Sequence, residues 1–188
     1  MADVSVRAAT ARDVPEIARV QLDTWRTAYA QLVPPAVLAE ATPERAAAAW
    51  LAAVSTPPSP RHRVLVALEQ DWVVGFVAFA PGSPDEPGAE IVTLLVEPRW
   101  GRRGHGSRLL AAAVDLLRSD GTDRVLAWLP EGDQASARFY LSAGWAPDGV
   151  VRTLESSGEI LREVRYHASL ADADPGSPQP GEEPHSVQ

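Results

Sequence analysis

Residues 97–107 combine glycines and arginines at a spacing suited to anion binding; they read EPRWGRRGHGS. Glycine lets the backbone approach a bulky oxyanion and permits positive φ angles, and arginine adds charge and paired donors. A helical pattern begins at Ser107, and a helix N-terminus carries unpaired N–H groups with a partial positive charge. The stretch therefore predicts a phosphate or pyrophosphate site. The alternative is an ordinary strand-to-helix loop with solvated arginines.

This loop differs from two common phosphate-binding loops. A Walker loop needs a Gly-Lys-Ser/Thr ending, whereas all 17 basic residues of this chain are arginine. A dinucleotide-binding loop needs Gly-x-Gly-x-x-Gly, whereas the order here is Gly101-x-x-Gly104-x-Gly106. The loop belongs to neither class.

The elements on either side of the loop are predicted from their periodicity. Residues 91–96 form an apolar, β-branched run that predicts a buried strand, which Pro98 ends. From Ser107 the apolar residues recur on one helical face; they are Leu109, Leu110, Ala113, Val114 and Leu117.

The same reasoning predicts an α+β chain with a mixed, mostly antiparallel sheet of about seven strands and helices on both faces. Strands are expected at residues 4–8, 63–69, 72–80, 91–96, 124–129, 145–154 and 160–170. Helices are expected at about 14–29, at 36–54 with an interruption near Thr42, from 107 and at 133–143. Residues 81–88 (PGSPDEPG) are predicted to be a flexible connection, and a bulge is expected at Gly75.

Residues 96–110 resemble the acetyl-CoA-binding motif of the GNAT superfamily of N-acetyltransferases, Arg/Gln-x-x-Gly-x-Gly/Ala after a strand ending in Val-x-Pro. Gly104 and Gly106 match this motif. Gly101 takes the place of the usual Arg or Gln. Either Arg102 or Arg103 could supply the missing charge.

Residues 133–145 resemble the second signature of the family, Asn-x-x-Ala-x-x-Phe-Tyr-x-x-x-Gly-Phe. Phe139, Tyr140 and Gly144 match, whereas Asp133 and Ser136 replace Asn and Ala, and the final aromatic residue is a tryptophan. Two linked motifs in the expected order are more specific than either alone. The element order over residues 3–170 is also that of the GNAT fold.

The resemblance implies transfer of an acetyl group from acetyl-CoA to a primary amine of a small molecule or peptide. Tyr140 would be the general acid, although a core aromatic role is the alternative. The residues implied to bind the cosubstrate are Leu94, Leu95, Val96, Arg102, Arg103, Gly104, His105, Gly106, Ser107, Asp133, Ser136 and Phe139. For His105 an exposed or phosphate-proximal side chain is expected rather than a catalytic one.

Three aromatic residues and one acid are candidates for the acceptor side. Trp25 and Tyr29 lie one helical turn apart, and Trp128 lies on a later strand, so these rings would line the acceptor pocket or pack in the core. Glu90 precedes the central strand and would act as the general base or be a solvated strand end. A non-catalytic acyl-CoA-binding or regulatory module is the alternative function.

Composition narrows the remaining classes. The net charge is −8, which argues against a nucleic-acid binder. There is no cysteine and the four histidines are scattered, so no metal site is expected. No signal segment and no apolar run of roughly 20 residues is apparent, so a cytoplasmic protein without membrane association is the expectation.

The Arg-only usage suggests a bacterial genome. Residues 1–170 would form one domain, residues 171–188 a disordered acidic tail, and family analogy suggests a homodimer.

Overall fold

The computed structural model describes residues 4–84, 86–156 and 158–171, in which seven strands and five α-helices follow one another along the chain. The strands are β1 (Val4–Ala8), β2 (Arg63–Glu69), β3 (Trp72–Ser83), β4 (Glu86–Val96), β5 (Arg124–Pro130), β6 (Ala146–Ser156) and β7 (Glu159–Ser169). The helices are α1 (Val14–Thr27), α2 (Pro35–Glu40), α3 (Pro43–Ser55), α4 (His105–Ser119) and α5 (Gln134–Ser142). The predicted tail lies outside the described residues from position 172 onward.

The strands form one sheet in the order β1-β2-β3-β4-β5-β7-β6. Neighbours are antiparallel except for β4 and β5, which are parallel. The α4 helix joins these two strands, as a parallel crossover requires. The predicted α+β class and mostly antiparallel sheet are therefore confirmed.

Helices cover both faces of the sheet and bury two apolar clusters. On one face, Leu109 and Ala113 of α4 pack with Tyr140 of α5 against the central strands. On the other face, Ile17 and Val20 of α1 pack against strand residues, with α3 alongside. The predicted periodicity of the α4 face is confirmed, because Leu109, Leu110, Ala113 and Leu117 are all buried.

The central strands separate partway along their length. β4 and β5 pair only from Ala89 to Ile91 on the β4 side, and β4 has a bulge where Phe79 pairs with Ile91 but Ala78 pairs with Thr93. Beyond this point β4 pairs with β3 alone and β5 pairs with β7 alone. The divergence opens a gap in the middle of the sheet, beside the loop that leads into α4.

Two predicted boundaries were wrong. The flexible connection at residues 81–88 is a hairpin end instead, in which Pro81 pairs with Ala89 and Ser83 with Glu86. Proline is tolerated there because β2 pairs with β3 only as far as Phe79, so the other side of β3 is an edge. The helix predicted from Ser107 begins at His105. Among the described residues, no helix is both long and apolar enough to cross a membrane.

An ion pair joins β1 to the start of α1. Both guanidinium nitrogens of Arg7 contact the Asp13 carboxylate, at 2.7 and 2.8 Å, and the Thr10 backbone N–H donates to the same carboxylate. Asp13 is 7% exposed. These donors, Arg7 first, lower the pKa of Asp13 to about 2.

We expect Asp13→Asn to lower the free energy of unfolding by about 2 kcal/mol at pH 7. A depressed carboxyl pKa stabilises the fold fully above about pH 4, and this contribution is lost as the pH falls through about 2. Urea unfolding from pH 7 down to pH 2 checks this result, because the difference from wild type should shrink below pH 4. Asp71→Asn, at an exposed position, is the matched control. If Asp71→Asn lowers the free energy of unfolding as much as Asp13→Asn does, the ion pair of Asp13 with Arg7 is not the source of the stabilisation.

Candidate active site

The loop between β4 and α4 has the backbone geometry of an anion cradle. Two of its residues have positive φ angles, Arg102 at 63° and Gly104 at 82°. The backbone N–H of Arg108 donates the first helical hydrogen bond, to the carbonyl of Gly104 at 3.0 Å. The amides that come before it in the helix therefore have no helical acceptor and can bind an anion.

The two candidate arginines of the loop have different surroundings. Arg102 borders the cavity beside the loop. Arg103 does not border it: its guanidinium lies 4.8 Å from the ring centroid of Trp100 and 4.0 Å from a carboxylate oxygen of Glu69. Of the two arginines, Arg102 alone therefore borders this cavity.

A cavity of about 430 Å³, here called the loop cavity, lies between the loop and the start of α5. Its walls come from α1, the end of β4, the loop and α5. An added Cβ on Gly106 would lie 3.3 Å from the Phe139 ring and 3.8 Å from Leu94. Glycine at this position keeps the cavity open next to the free amides.

Several buried polar atoms around the loop cavity have no hydrogen-bond partner among the described residues. They are the hydroxyl of Thr24, the indole N–H of Trp100, both ring nitrogens of His105 and the Oδ2 atom of Asp133. All four residues line the cavity. Buried polar groups are normally paired, so unpaired ones that face a cavity indicate a polar ligand.

A second cavity of about 330 Å³, here called the splay cavity, lies in the gap between β4 and β5. α1, α2, α3, β5, α5 and β7 contribute to the rest of its wall, together with Tyr29 and Val33 between α1 and α2. The two cavities share five lining residues, which are Tyr29, Leu94, Leu95, Ser136 and Tyr140. A molecule in each cavity would therefore meet the other at these residues.

Tyr140 lies at this junction and is 4% exposed. Its ring packs edge-on against Phe139 and Trp145, with centroids 5.3 and 4.8 Å apart. Burial raises the pKa of Tyr140, with further increases from Tyr29 and Asp133. The phenol is therefore neutral at physiological pH and can donate its proton. The side chain is both a core aromatic and a cavity wall.

Tyr29 is the second tyrosine at the junction. Its hydroxyl lies 3.4 Å from the Ser136 hydroxyl. Burial raises the pKa of Tyr29 to about 12, and the charge of Asp133 adds to this increase. The Asp133 Oδ1 atom caps α5 by accepting from the Ser136 N–H at 3.0 Å, as the sequence predicts. Burial, to which the charge of Asp133 adds, therefore keeps both phenols protonated.

The two acids near the gap have different positions. Glu90 pairs with Leu126 in the section where β4 and β5 are still joined, and it lines neither cavity. Burial raises the pKa of Glu90; Arg152 opposes this increase and Glu163 adds to it. Glu163 of β7 does line the splay cavity. The predicted role of Glu90 as general base stays a prediction.

The His105 side chain is buried, so the exposed side chain that we expected as one alternative was wrong. Its Nε2 atom lies 3.1 Å from a carboxylate oxygen of Glu69, and its ring packs edge-on near Trp100. Burial lowers the pKa of His105, while Glu69 opposes the shift. His105 also borders the loop cavity, so the phosphate-proximal alternative stays a prediction.

The predicted acceptor residues lie together around the splay cavity. Trp25, Tyr29 and Trp128 all line it. Trp25 and Tyr29 also pack on the apolar cluster beneath α1, so both the pocket and the core interpretations hold for them. In the described parts of the chain, no group of three or more His, Cys, Asp or Glu side chains is placed to hold a metal ion.

Comparison with known proteins identifies the family. The family model described as Acetyltransferase (GNAT) family matches residues 21–145, which is most of the chain. The chain belongs to the GNAT acetyltransferase family. An uncharacterised N-acetyltransferase of Bacillus subtilis (strain 168), YuaI, is 27% identical over 164 residues, covering 86% of this chain and 90% of that protein. The phosphinothricin N-acetyltransferase of Streptomyces coelicolor is 29% identical over 105 residues, covering 55% and 61%.

Solved GNAT structures share the fold. The acetyltransferase YncA from Salmonella typhimurium, solved with its cofactor acetyl-CoA, aligns with a TM-score of 0.67 at 20% identity. The alignment covers 95% of this chain and 99% of that chain. The predicted GNAT resemblance is confirmed.

The residues of the splay cavity that sequence reasoning missed in this GNAT chain include Gln21, Trp50 and Glu163. Gln21 and Trp50 come from two different helices, and no local motif links them. Glu163 stands between Arg162 and Val164 in a strand that also carries Arg165 and Glu159, so its inward direction has no local signal. Only the strand order β5-β7-β6 brings it to the gap.

Proposed function

We propose that this protein transfers the acetyl group of acetyl-CoA to a primary amine by direct attack. The cosubstrate would lie in the loop cavity and the amine in the splay cavity. The observation that carries the proposal is that the two cavities meet at a buried, protonated tyrosine, Tyr140. Family membership supports acyl transfer as the reaction class.

The proposed reaction needs one proton donor and one proton acceptor. The amine nitrogen forms a bond to the thioester carbonyl carbon, and the carbon–sulfur bond breaks. Tyr140 gives its proton to the departing sulfur, whose thiol has an ordinary pKa of about 8.5. The amine loses its proton to a carboxylate or through water. The products are an amide and free CoA.

Cosubstrate binding would use the loop and the free edge of β4. The pyrophosphate would accept from the amides of residues 102–107, with Arg102 beside it. The pantetheine arm would pair like an added strand along residues 94–96, which have no partner strand on the gap side. A backbone N–H of that edge would stabilise the thioester oxygen as it becomes anionic. The unpaired polar atoms of Thr24 and Trp100 support a ligand with amide groups.

The test is thiol release from acetyl-CoA in the presence of a panel of primary amines. The chain has no cysteine, so a thiol reagent in the assay reports CoA alone. We expect amine-dependent release above the rate of acetyl-CoA alone, and mass spectrometry should find the acetylated amine. If the protein binds acetyl-CoA but releases no thiol with any amine, the non-catalytic binding module is the better description.

Arg102 and Arg103 provide a matched pair for the cosubstrate site. We expect Arg102→Ala to weaken acetyl-CoA binding about 10-fold, because a charge-assisted hydrogen bond to phosphate is lost. Arg103→Ala should change the Kd by less than about 3-fold, because Arg103 stacks on Trp100 outside the cavity. Calorimetric titration at low and high salt measures both. The reverse order of effects would contradict the placement of the phosphate.

A cytoplasmic location and a homodimer stay predictions, as does acetyl rather than another acyl group as the group transferred.

A further inference from the structure

The splay cavity has an unusually aromatic wall. The rings of Trp25, Tyr29, Trp50 and Trp128 face it from three different elements. Aliphatic side chains of β4 and α2 complete much of the remainder. Its volume of about 330 Å³ is at the small end of the range for ligand pockets. The cavity is therefore suited to a compact apolar body.

Two polar groups in the wall of the splay cavity have hydrogen-bond partners within the protein. The indole N–H of Trp50 donates to the side-chain oxygen of Gln21 at 2.7 Å. The Tyr29 hydroxyl lies within 3.4 Å of the Ser136 hydroxyl. The Trp50 N–H and the Tyr29 hydroxyl therefore already have partners, which leaves Tyr140 as the phenol that can donate to a molecule in the cavity.

The described lining of the splay cavity carries a negative charge but no positive one. Apart from the protonated tyrosines, Glu163 is the one titratable side chain in the described lining, and it is 9% exposed. The nearest cations do not line the cavity. Arg152 holds a Glu163 oxygen at 2.6 Å and lies 4.3 Å from the Trp128 ring centroid. Arg165 lies 5.7 Å from the same ring centroid and pairs with Asp148 at 2.8 Å.

We propose that the acceptor is a primary amine on an aromatic or branched apolar body that carries no carboxylate, phosphate or phosphinate group. The Trp128 ring already has Arg152 and Arg165 against it, so the rings of Trp25, Tyr29 and Trp50 are the ones that would attract an ammonium group by cation–π interaction. Glu163 adds the matching charge. An acidic group on the same molecule would be desolvated beside Glu163 with no cation in the wall. This inference rests on the proposed function, since it names the substrate class of the same site.

The experiment compares 2-phenylethylamine with phenylalanine, which differ by one carboxylate. With acetyl-CoA present, we expect 2-phenylethylamine to have a kcat/KM at least about 100-fold higher, measured by thiol release. Phosphinothricin, which carries both a carboxylate and a phosphinate, should be no better than phenylalanine. Equal values for the matched pair, or a preference for phosphinothricin, would overturn the inference while leaving acetyl transfer intact.

Binding gives a second readout that does not depend on turnover. Three of the wall residues are tryptophans, so an amine that enters the cavity in the CoA complex should change the intrinsic fluorescence. Saturable binding of 2-phenylethylamine, with phenylalanine at least about 100-fold weaker, supports the acceptor class even if no thiol is released. In that case it is the proposed function that fails. Binding of phenylalanine as tight as that of the amine overturns the acceptor class.

A charge variant separates recognition from structure. In Glu163→Gln, the ratio of kcat/KM for 2-phenylethylamine to kcat/KM for phenylalanine should fall by about 10-fold. The reason is that residue 163 no longer repels the carboxylate of phenylalanine. Glu155→Gln, at an exposed position of β6, is the matched control and should leave the ratio unchanged. An unchanged ratio in Glu163→Gln, with melting temperature and acetyl-CoA affinity intact, would overturn the role of Glu163.

Discussion

Replacement of Tyr140 with phenylalanine should lower kcat about 100-fold or more while acetyl-CoA binds as before. The change removes one oxygen atom and keeps the ring, which packs against Phe139 and Trp145 within the apolar cluster beneath α4. Because burial raises the pKa of Tyr140, the wild-type phenol stays protonated through neutral pH. The wild-type rate should therefore show no alkaline decline from this group below about pH 10. Steady-state kinetics by thiol release and calorimetric titration of acetyl-CoA measure the two quantities.

Tyr166→Phe is the control for this result. Tyr166 is also buried, at 9% exposure, and its ring lies 6.4 Å from that of Tyr140. It lines neither the loop cavity nor the splay cavity. We expect kcat in Tyr166→Phe to stay within about 3-fold of wild type. If the two variants lose activity equally, the hydroxyl of Tyr140 has no special role as a proton donor.

The fold was predictable where local pattern and tertiary position agree. The helical face of α4 and the Asp133 cap of α5 need only a few neighbouring residues, and both were found as predicted. The hairpin end at residues 81–88 was missed because its prolines and glycines are typical of a loop. Proline is excluded from a strand only where a neighbouring strand needs its N–H. How far β2 pairs along β3 depends on the whole sheet, so it cannot be read from the sequence of residues 81–88.

The candidate site was likewise predictable only where its residues are close together in the sequence. The phosphate loop is one continuous segment, so its glycines and the start of a helix are visible in the sequence. Which arginine faces the cavity depends on φ at Arg102 and on the stacking of Arg103 over Trp100, and neither has a local signal. The acceptor side is assembled from α1, α3, β5 and β7, where single residues such as Glu163 come together only through the strand order.

Loss of cosubstrate binding is the second large effect that we expect, from Gly106→Val. An added Cβ at Gly106 would lie 3.3 Å from the Phe139 ring, which is already a tight contact, and the two methyl groups of valine need further room. They would project where Gly106 borders the loop cavity, beside the free amides of α4. We expect the Kd for acetyl-CoA to rise at least about 100-fold, as measured by calorimetry. Valine is a somewhat better helix former than glycine, so the helix itself should not be weakened.

The control for this change is Ala111→Val, which adds the same branched side chain at an exposed position of the same helix. It should leave both acetyl-CoA affinity and melting temperature near the wild-type values. If Gly106→Val unfolds the protein, circular dichroism will reveal it, and the smaller Gly106→Ser should then still weaken binding in a folded chain, because its Cβ presses on Phe139 and its Oγ needs further room. Tight binding in folded Gly106→Val would mean that the phosphates do not approach the start of α4. The glycines of the loop would then serve only its turn, since Gly104 with a φ of 82° needs no ligand to explain it.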